Sequence, residues 1–122
     1  MKFRESQAIY LQIAEYVCEK ILLKTWTTDQ KIPSVRELAI ELEVNPNTVM
    51  RTYDFLQNKE IIYNKRGIGF FIESEAINNV LAFRKQEFIE KELPVFLKNI
   101  YLLNIDIKDV IKYYENFLNN VK

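Results

Sequence analysis

The side chains of this sequence that could do chemistry cluster between residues 33 and 72, and the chemistry they suit is non-covalent. Arg36 and Arg51 carry planar guanidinium forks, which grip a phosphate or a guanine edge through two parallel hydrogen bonds. Asn47 and Thr48 are short hydrogen-bonding side chains that fit a base edge or a phosphate oxygen, and Ser34 adds a hydroxyl. Lys65 and Arg66 stand beside Gly67, where a cationic tip meets a residue that lets backbone approach closely. Covalent catalysis finds no matching set. The chain has no histidine, which removes the commonest general base, the Ser-His-Asp arrangement and the usual zinc ligands. Cys18 is the lone cysteine, so neither an internal disulfide nor a clustered thiolate metal site can form. A small buried side chain is the simpler reading of Cys18 than a redox sensor. Gly67 and Gly69 are the only glycines, too few for a glycine-rich phosphate loop. No enzyme, cofactor or metal is expected.

Three helices and a hairpin must position these groups. Ile9, Ile13, Tyr16, Val17 and Ile21 repeat at helical spacing from about Ser6 to Lys24 and predict a first, core-packing helix. The polar stretch Thr25 to Lys31 predicts a loop, with Trp26 covering the edge of the core or, alternatively, stacking on a base or ligand. Ser34 and Glu37 have the spacing of a capping box, so a second helix opens after Pro33 and stops near Glu43 with Leu38, Ala39 and Leu42 inward. Asn45 followed by Pro46 predicts the start of a third helix, because a proline at the first helical position sacrifices no hydrogen bond. Its buried stripe is Val49, Tyr53 and Leu56, which leaves Asn47, Thr48 and Arg51 off the stripe near its amino end. Ile61-Ile62-Tyr63 and Phe70-Phe71-Ile72 predict two strands, with residues 64–69 between them as a cationic wing tip. The order describes a winged helix-turn-helix, whose second helix is the one that enters a DNA major groove.

From Glu75 onward the pattern is helical. Ile77, Val80, Leu81, Phe88 and Leu93 give one apolar line, Pro94 kinks or breaks it, and a last helix capped by Asp106 runs to about Val121. The expected architecture is mostly α with a small β-hairpin: a winged helix-turn-helix over residues 1–74 and a short helical dimerisation region over residues 75–122. Phe88, Phe96, Leu97, Tyr101, Tyr114 and Phe117 would expose a large apolar patch on a monomer, and such patches mark interfaces. A two-fold homodimer is expected there; the alternative is that these side chains pack onto their own first domain.

Hydrophobic residues make up 48% of the 122, enough for a packed core. No apolar run approaches the roughly 20 residues that span a bilayer, and the first residues lack the apolar stretch of a secretory signal. A cytoplasmic protein is expected. Formal net charge is zero. Residues 1–72 hold ten Lys/Arg against nine Asp/Glu, and residues 73–122 hold seven against eight. Any nucleic-acid contact therefore depends on a few well-placed cations and not on a domain-wide field.

Together and in order, Trp26, Pro33 to Ala39, Val44 to Val49, Arg51, Tyr53 and Arg66-Gly67-Ile68-Gly69 resemble the pattern of the GntR family of bacterial transcription regulators, and most closely its YtrA branch. The resemblance extends over essentially the whole chain. It implies sequence-specific binding of double-stranded DNA, as a homodimer on an inverted repeat, by a regulator that is usually a repressor, often of an operon for an ATP-driven transporter. By the same resemblance Ser34, Arg36, Asn47, Thr48, Arg51, Lys65, Arg66 and Gly67 are the DNA-binding candidates. The family's usual glycines are replaced at four places, which correspond to Lys24, Asp29, Glu60 and Asn104, and the arginine of many members is Pro46 here.

Each candidate has a plainer alternative. Arg36 could pair with Glu41 and Arg51 with Asp54, Thr48 could serve only as a helix cap, and the wing could be an ordinary solvated turn. At the level of the chain, the alternatives are a winged-helix protein-interaction module without DNA binding and a metabolite sensor with a pocket in the dimer interface. No small-molecule effector is identifiable from the residues.

Overall fold

A computed structural model describes residues 1–121. The chain forms helices α1 (Ile9–Leu22), α2 (Val35–Leu42) and α3 (Pro46–Asn58), a hairpin of β1 (Ile62–Lys65) and β2 (Gly69–Ile72), and then α4 (Ala76–Glu87). A π-helical turn at Phe88–Glu92 leads into α5 (Leu93–Leu102), and α6 (Ile107–Val121) follows. The expected class, mostly helical with one hairpin and a winged helix-turn-helix at the amino end, is the observed one.

Two compact units are present, Met1–Phe83 and the residues from Arg84 onward. The division falls inside α4, nine residues beyond the functional boundary expected at 74. The reason lies in the first turns of α4. Ala76 and Val80, one helical turn apart, are buried in the core of the first unit, and Phe83 packs against it. Ile77 and Leu81, which share the expected apolar line with Val80, are exposed. The side-chain Nδ2 of Asn79 also donates to the Glu60 carbonyl at 2.8 Å, fixing α4 to the end of α3.

The core of the first unit joins Ile13, Val17, Cys18 and Ile21 of α1 to Leu38, Ala39 and Leu42 of α2 and to Val49, Tyr53 and Leu56 of α3. Each fully buried side chain of this size contributes roughly 1.5–3 kcal/mol. Ile9, expected inward, is exposed, and Gln12 is buried instead. Gln12 accepts from the Arg4 amide and donates to the carbonyls of Arg4 and Gln7, which ties the amino-terminal segment down without leaving a buried polar atom unpaired. Trp26 belongs to the core, 9% exposed, which favours the covering role expected of it over stacking on a ligand.

The wing is tighter and broader than expected. Lys65 pairs with Gly69, so Asn64 and Lys65 belong to β1, and only Arg66, Gly67 and Ile68 form the turn. The Ile68 amide closes that turn on the Lys65 carbonyl at 2.8 Å. Gly67 sits at φ 78° and Gly69 at φ 143°, both outside the range an L side chain adopts readily. On the other side of β2, the segment read as loop pairs with the hairpin. The amides of Asp29 and Ile32 donate to the carbonyls of Ile72 and Phe70, and the Ile72 amide donates to Gln30. Lys31 bridges Phe71.

Pro94 does not break the helix. The preceding residues widen into the π-helical turn, in which the Leu93 amide donates to Phe88, and Pro94 lies in the first turn of α5, where its lack of an N–H matters least.

Four helices end the same way. After α1, α2, α3 and α5, the residues Lys24, Glu43, Glu60 and Asn104 adopt φ between 57° and 61°. In each case the following amide reaches back five residues: Thr25 to Lys20, Val44 to Ala39, Ile61 to Leu56 and Ile105 to Ile100. This is the Schellman arrangement, which normally uses glycine. Three of the four are the Lys, Glu and Asn already noted as standing where glycine is usual; the fourth departure, Asp29, is also left-handed at φ 62°. An L residue pays about 1–2 kcal/mol in this region. Lys24→Gly and Glu60→Gly should therefore each raise stability, by about 0.5–1 kcal/mol once glycine's larger unfolded-state entropy is subtracted. Urea midpoints at unchanged m-value measure this, and a decrease would show that both side chains make compensating contacts.

Candidate nucleic-acid interface

The second helix presents its amino end. Ser34 caps it through a complete capping box: the Ser34 amide donates to Glu37 at 2.9 Å and the Glu37 amide donates to Ser34 Oγ at 3.1 Å. The backbone N–H and the hydroxyl of Ser34 hold the Glu37 carboxyl below the usual carboxylate range, so it is ionised at neutral pH. Arg36 is exposed in the same first turn. Arg36 therefore shares this helix terminus with the ionised Glu37 carboxylate, which the helix dipole favours there.

The third helix begins at Asn45, whose side chain accepts from the Asn47 amide at 2.8 Å. That assigns Asn45 to capping, as expected. Asn47 and Arg51 are exposed, and Thr48 is partly so. The buried stripe Val49, Thr52, Tyr53 and Leu56 sets the opposite face. Thr52, which the apolar pattern did not single out, is fully buried and donates to the carbonyl of Tyr10 at 2.8 Å. It fastens α3 to the start of α1.

Neither ion pair weighed from the sequence forms. Among the described residues the salt bridges are Arg4–Glu15 and Lys91–Glu87. Arg51 lies over the ring of Tyr10, 3.9 Å from its centroid, and Tyr10 in turn meets Phe55 edge-on. Stacking fixes the plane of the guanidinium fork on a side chain that α1 supplies. Sequence periodicity had no way to pick out Tyr10, because the contact joins residues on different helices, far apart in the chain.

The wing carries Lys65 and Arg66, both exposed, with Gly67 at the tip and open space where its side chain would be. Lys65 extends over Phe71, which stacks with Tyr63. Lys31 adds a third cation. It lies beside Gly69, where a Cβ would come within 3.0 Å of the lysine Cε. Lys31 ends the polar stretch expected to be loop; its pairing with β2 depends on hydrogen bonds of the backbone, which leave no side-chain signal.

Tyr53 connects these parts. Its hydroxyl donates to the Pro33 carbonyl at 2.6 Å, just ahead of the α2 cap, and its ring meets Phe70 of the wing edge-on at 4.8 Å.

A capped second helix, a third helix with an open polar face and a cationic wing match a known group. The model of bacterial regulatory proteins of the gntR family matches residues 9–72, just over half of the chain. The chain belongs to the GntR family. Relatives extend the match. The uncharacterized HTH-type transcriptional regulator YhcF of Bacillus subtilis is 33% identical over 116 residues, spanning 95% of this chain and 94% of its own length. The HTH-type transcriptional repressor YtrA of the same organism is 31% identical over 119 residues, spanning 98% and 91%. The structure of a GntR-family transcriptional regulator from Bacteroides thetaiotaomicron is 46% identical, covers 94% of this chain and all of its own, and superposes with a TM-score of 0.77. This GntR protein is a helix-turn-helix transcription regulator of the DNA-binding kind, and its family and relatives are regulators and not enzymes. No helix among the described residues is long and apolar enough to cross a membrane.

The six aromatic and aliphatic residues expected at an interface all lie in the second unit: Phe88 in the π-helical turn, Phe96, Leu97 and Tyr101 on α5, and Tyr114 and Phe117 on α6. They are 44–82% exposed.

Because Tyr53 is buried, losing its hydroxyl leaves the Pro33 carbonyl short of this partner. Tyr53→Phe should cost about 1–3 kcal/mol, read as a lowered urea midpoint. Burial also raises the phenol well above its ordinary 10.0. A raised folded value favours the protonated form, so this stabilisation is complete below pH 10 and fades as pH rises beyond it. The variant should lose less stability than the parent between pH 9 and about 11; equal loss would place the alkaline sensitivity elsewhere.

Proposed function

We propose that the chain is a cytoplasmic homodimeric repressor that binds an inverted-repeat operator, with α3 in the major groove of each half-site. The observation that carries the reading is the open face of α3, flanked by the α2 terminus with its unpaired-in-fold guanidinium and by the wing cations. Arg36 and Ser34 would hold a phosphate, Asn47, Thr48 and Arg51 would reach base edges or backbone, and Lys65, Arg66 and Gly67 would follow the neighbouring minor groove. Zero net charge is compatible with this, because the contacts are few and local.

Dimerisation is supported by the second unit. No described residue beyond Val80 is buried, although that segment is rich in Phe, Tyr, Leu and Ile. Two helices with no buried side chain do not hold together in water without a further surface to cover them. In α6 the positions Ile107, Ile111, Tyr114, Leu118 and Val121 alternate by four and three, the seam of paired helices. Likeness to YtrA supports a repressor, and by the same resemblance the regulated genes would be an adjoining transporter operon.

Selection of bound duplexes from a random library tests the reading. An enriched inverted repeat with half-sites about one helical turn apart, roughly 34 Å, or a multiple of it, is the expected outcome. Arg36→Ala and Arg51→Ala should each weaken binding about 5- to 150-fold, the range of a lost contact of about 1–3 kcal/mol. Affinity should fall steeply with salt. A folded protein that enriches nothing at low salt would instead support a protein-interaction module. Phe96→Glu with Phe117→Glu should convert the dimer to monomer in sedimentation; a persistent dimer would place the interface elsewhere.

A further inference from the structure

The open face of α3 holds one side chain that polar recognition does not use. Met50 is 45% exposed. It follows Asn47 by three residues and precedes Asp54 by four, so the three form a row along the helix, with Arg51 beside it. It belongs neither to the buried stripe nor to the partly buried residues packed on the core. The other exposed positions of the first three turns, Asn45, Asn47, Arg51 and Asp54, are polar or charged apart from Pro46 at the start. A thioether here gives the fold nothing that a polar residue would not, and it lacks a strong donor or acceptor with which to hold a phosphate.

The major groove offers one apolar group at a base edge, the C5 methyl of thymine. We infer that Met50 is a specificity-determining residue that packs on a thymine methyl in each half-site, between the bases reached by Asn47 and Arg51. The inference rests on the DNA-binding reading above and adds to it the base class read at one position. An unbranched, polarisable side chain suits the role, because it can follow a methyl group across small differences in base-step geometry. The other exposed large apolar residues of the head are placed differently: Met1 at the amino end, Ile9, Leu22 and Leu23 on or just after α1, and Ile77 and Leu81 on α4. Ile40 lies on α2, and Ile68 lies at the wing tip. Only Met50 shares a helix face with the polar candidates Asn47 and Arg51.

Deoxyuridine gives a direct test. It pairs as thymine does and keeps every donor and acceptor of the groove, lacking only the methyl. On the highest-affinity duplex recovered from the random library, each thymine is replaced in turn by deoxyuridine and binding is measured with the wild-type protein. At one thymine per half-site the replacement should weaken binding about four-fold, the value of one buried carbon. Replacement at the other thymines should change it less. Met50→Ala should bind the parent duplex about as weakly as wild type binds the deoxyuridine duplex, and should be indifferent to that methyl; Met50→Leu should keep the sensitivity. Wild-type binding that ignores all thymine methyls overturns the inference, as does a Met50→Ala protein that remains as sensitive as wild type. If no duplex is enriched at all, the DNA-binding reading fails and this inference fails with it, an outcome distinct from enrichment without a methyl effect.

Discussion

The arrangement of the reading head depends on Tyr53. A helix-turn-helix is useful only if the second helix, the third helix and the wing keep fixed angles, and each is too short to hold its own orientation. Eight residues of α2 and four in each wing strand bury little apart from what they share with α3. Tyr53 gives α3 two rigid attachments from one side chain. Its hydroxyl takes the carbonyl just before the α2 cap, and its ring takes Phe70 in the wing. The hydrogen bond is directional and its donor side chain is buried, so it resists rotation of α2 about α3 in a way that aliphatic packing does not. Thr52, the next residue back, does the corresponding work toward α1 through the Tyr10 carbonyl. Two adjacent residues on the buried side of α3 thereby set the position of everything on its open side.

The backbone shows a second constraint. Both glycines are spent in the wing, where the turn and the approach of Lys31 require them. The left-handed residues that close α1, α2, α3 and α5 are therefore Lys, Glu, Glu and Asn. Each terminus is held by its back-reaching hydrogen bond, and in the first unit burial of nearby residues adds to it. After α3, for example, Ile61 is fully buried immediately beyond Glu60.

Much of the fold was legible in local signals. Capping residues announced α2 and α3, because the chemistry of a helix start is written in two or three adjacent side chains. The apolar stripe of α3 and the two β-prone segments were equally plain. What escaped was contact between distant residues. Periodicity put Ile9 inward, whereas Gln12 took that place, because a polar side chain with three backbone partners satisfies burial. The pairing of residues 29–32 with β2 is carried by the backbone alone. For the interface, the candidate types and positions were readable, but the support of Arg51 by Tyr10 needed coordinates, and the exposure of Met50 became meaningful only once every neighbour on its helix face was known to be polar.

Neutral overall charge and specific recognition fit together in this arrangement. A strongly basic domain is held to any duplex by its field, and its sequence preference must compete with that non-specific hold. Here cations and carboxylates nearly balance, and five of the head's cations stand at the candidate interface: one at a helix terminus, one stacked on a tyrosine, and three around the wing. Carboxylates such as Glu37, Glu41 and Asp54 stand among them. Contacts made away from the correct sequence would bring those carboxylates toward phosphate without the compensating base contacts. Under the DNA-binding reading, the acidic residues lower affinity everywhere, while the paired geometry restores it only at a matching site. Balanced charge then raises the ratio of specific to non-specific binding, which is the quantity that matters when a genome offers a vast excess of wrong sites.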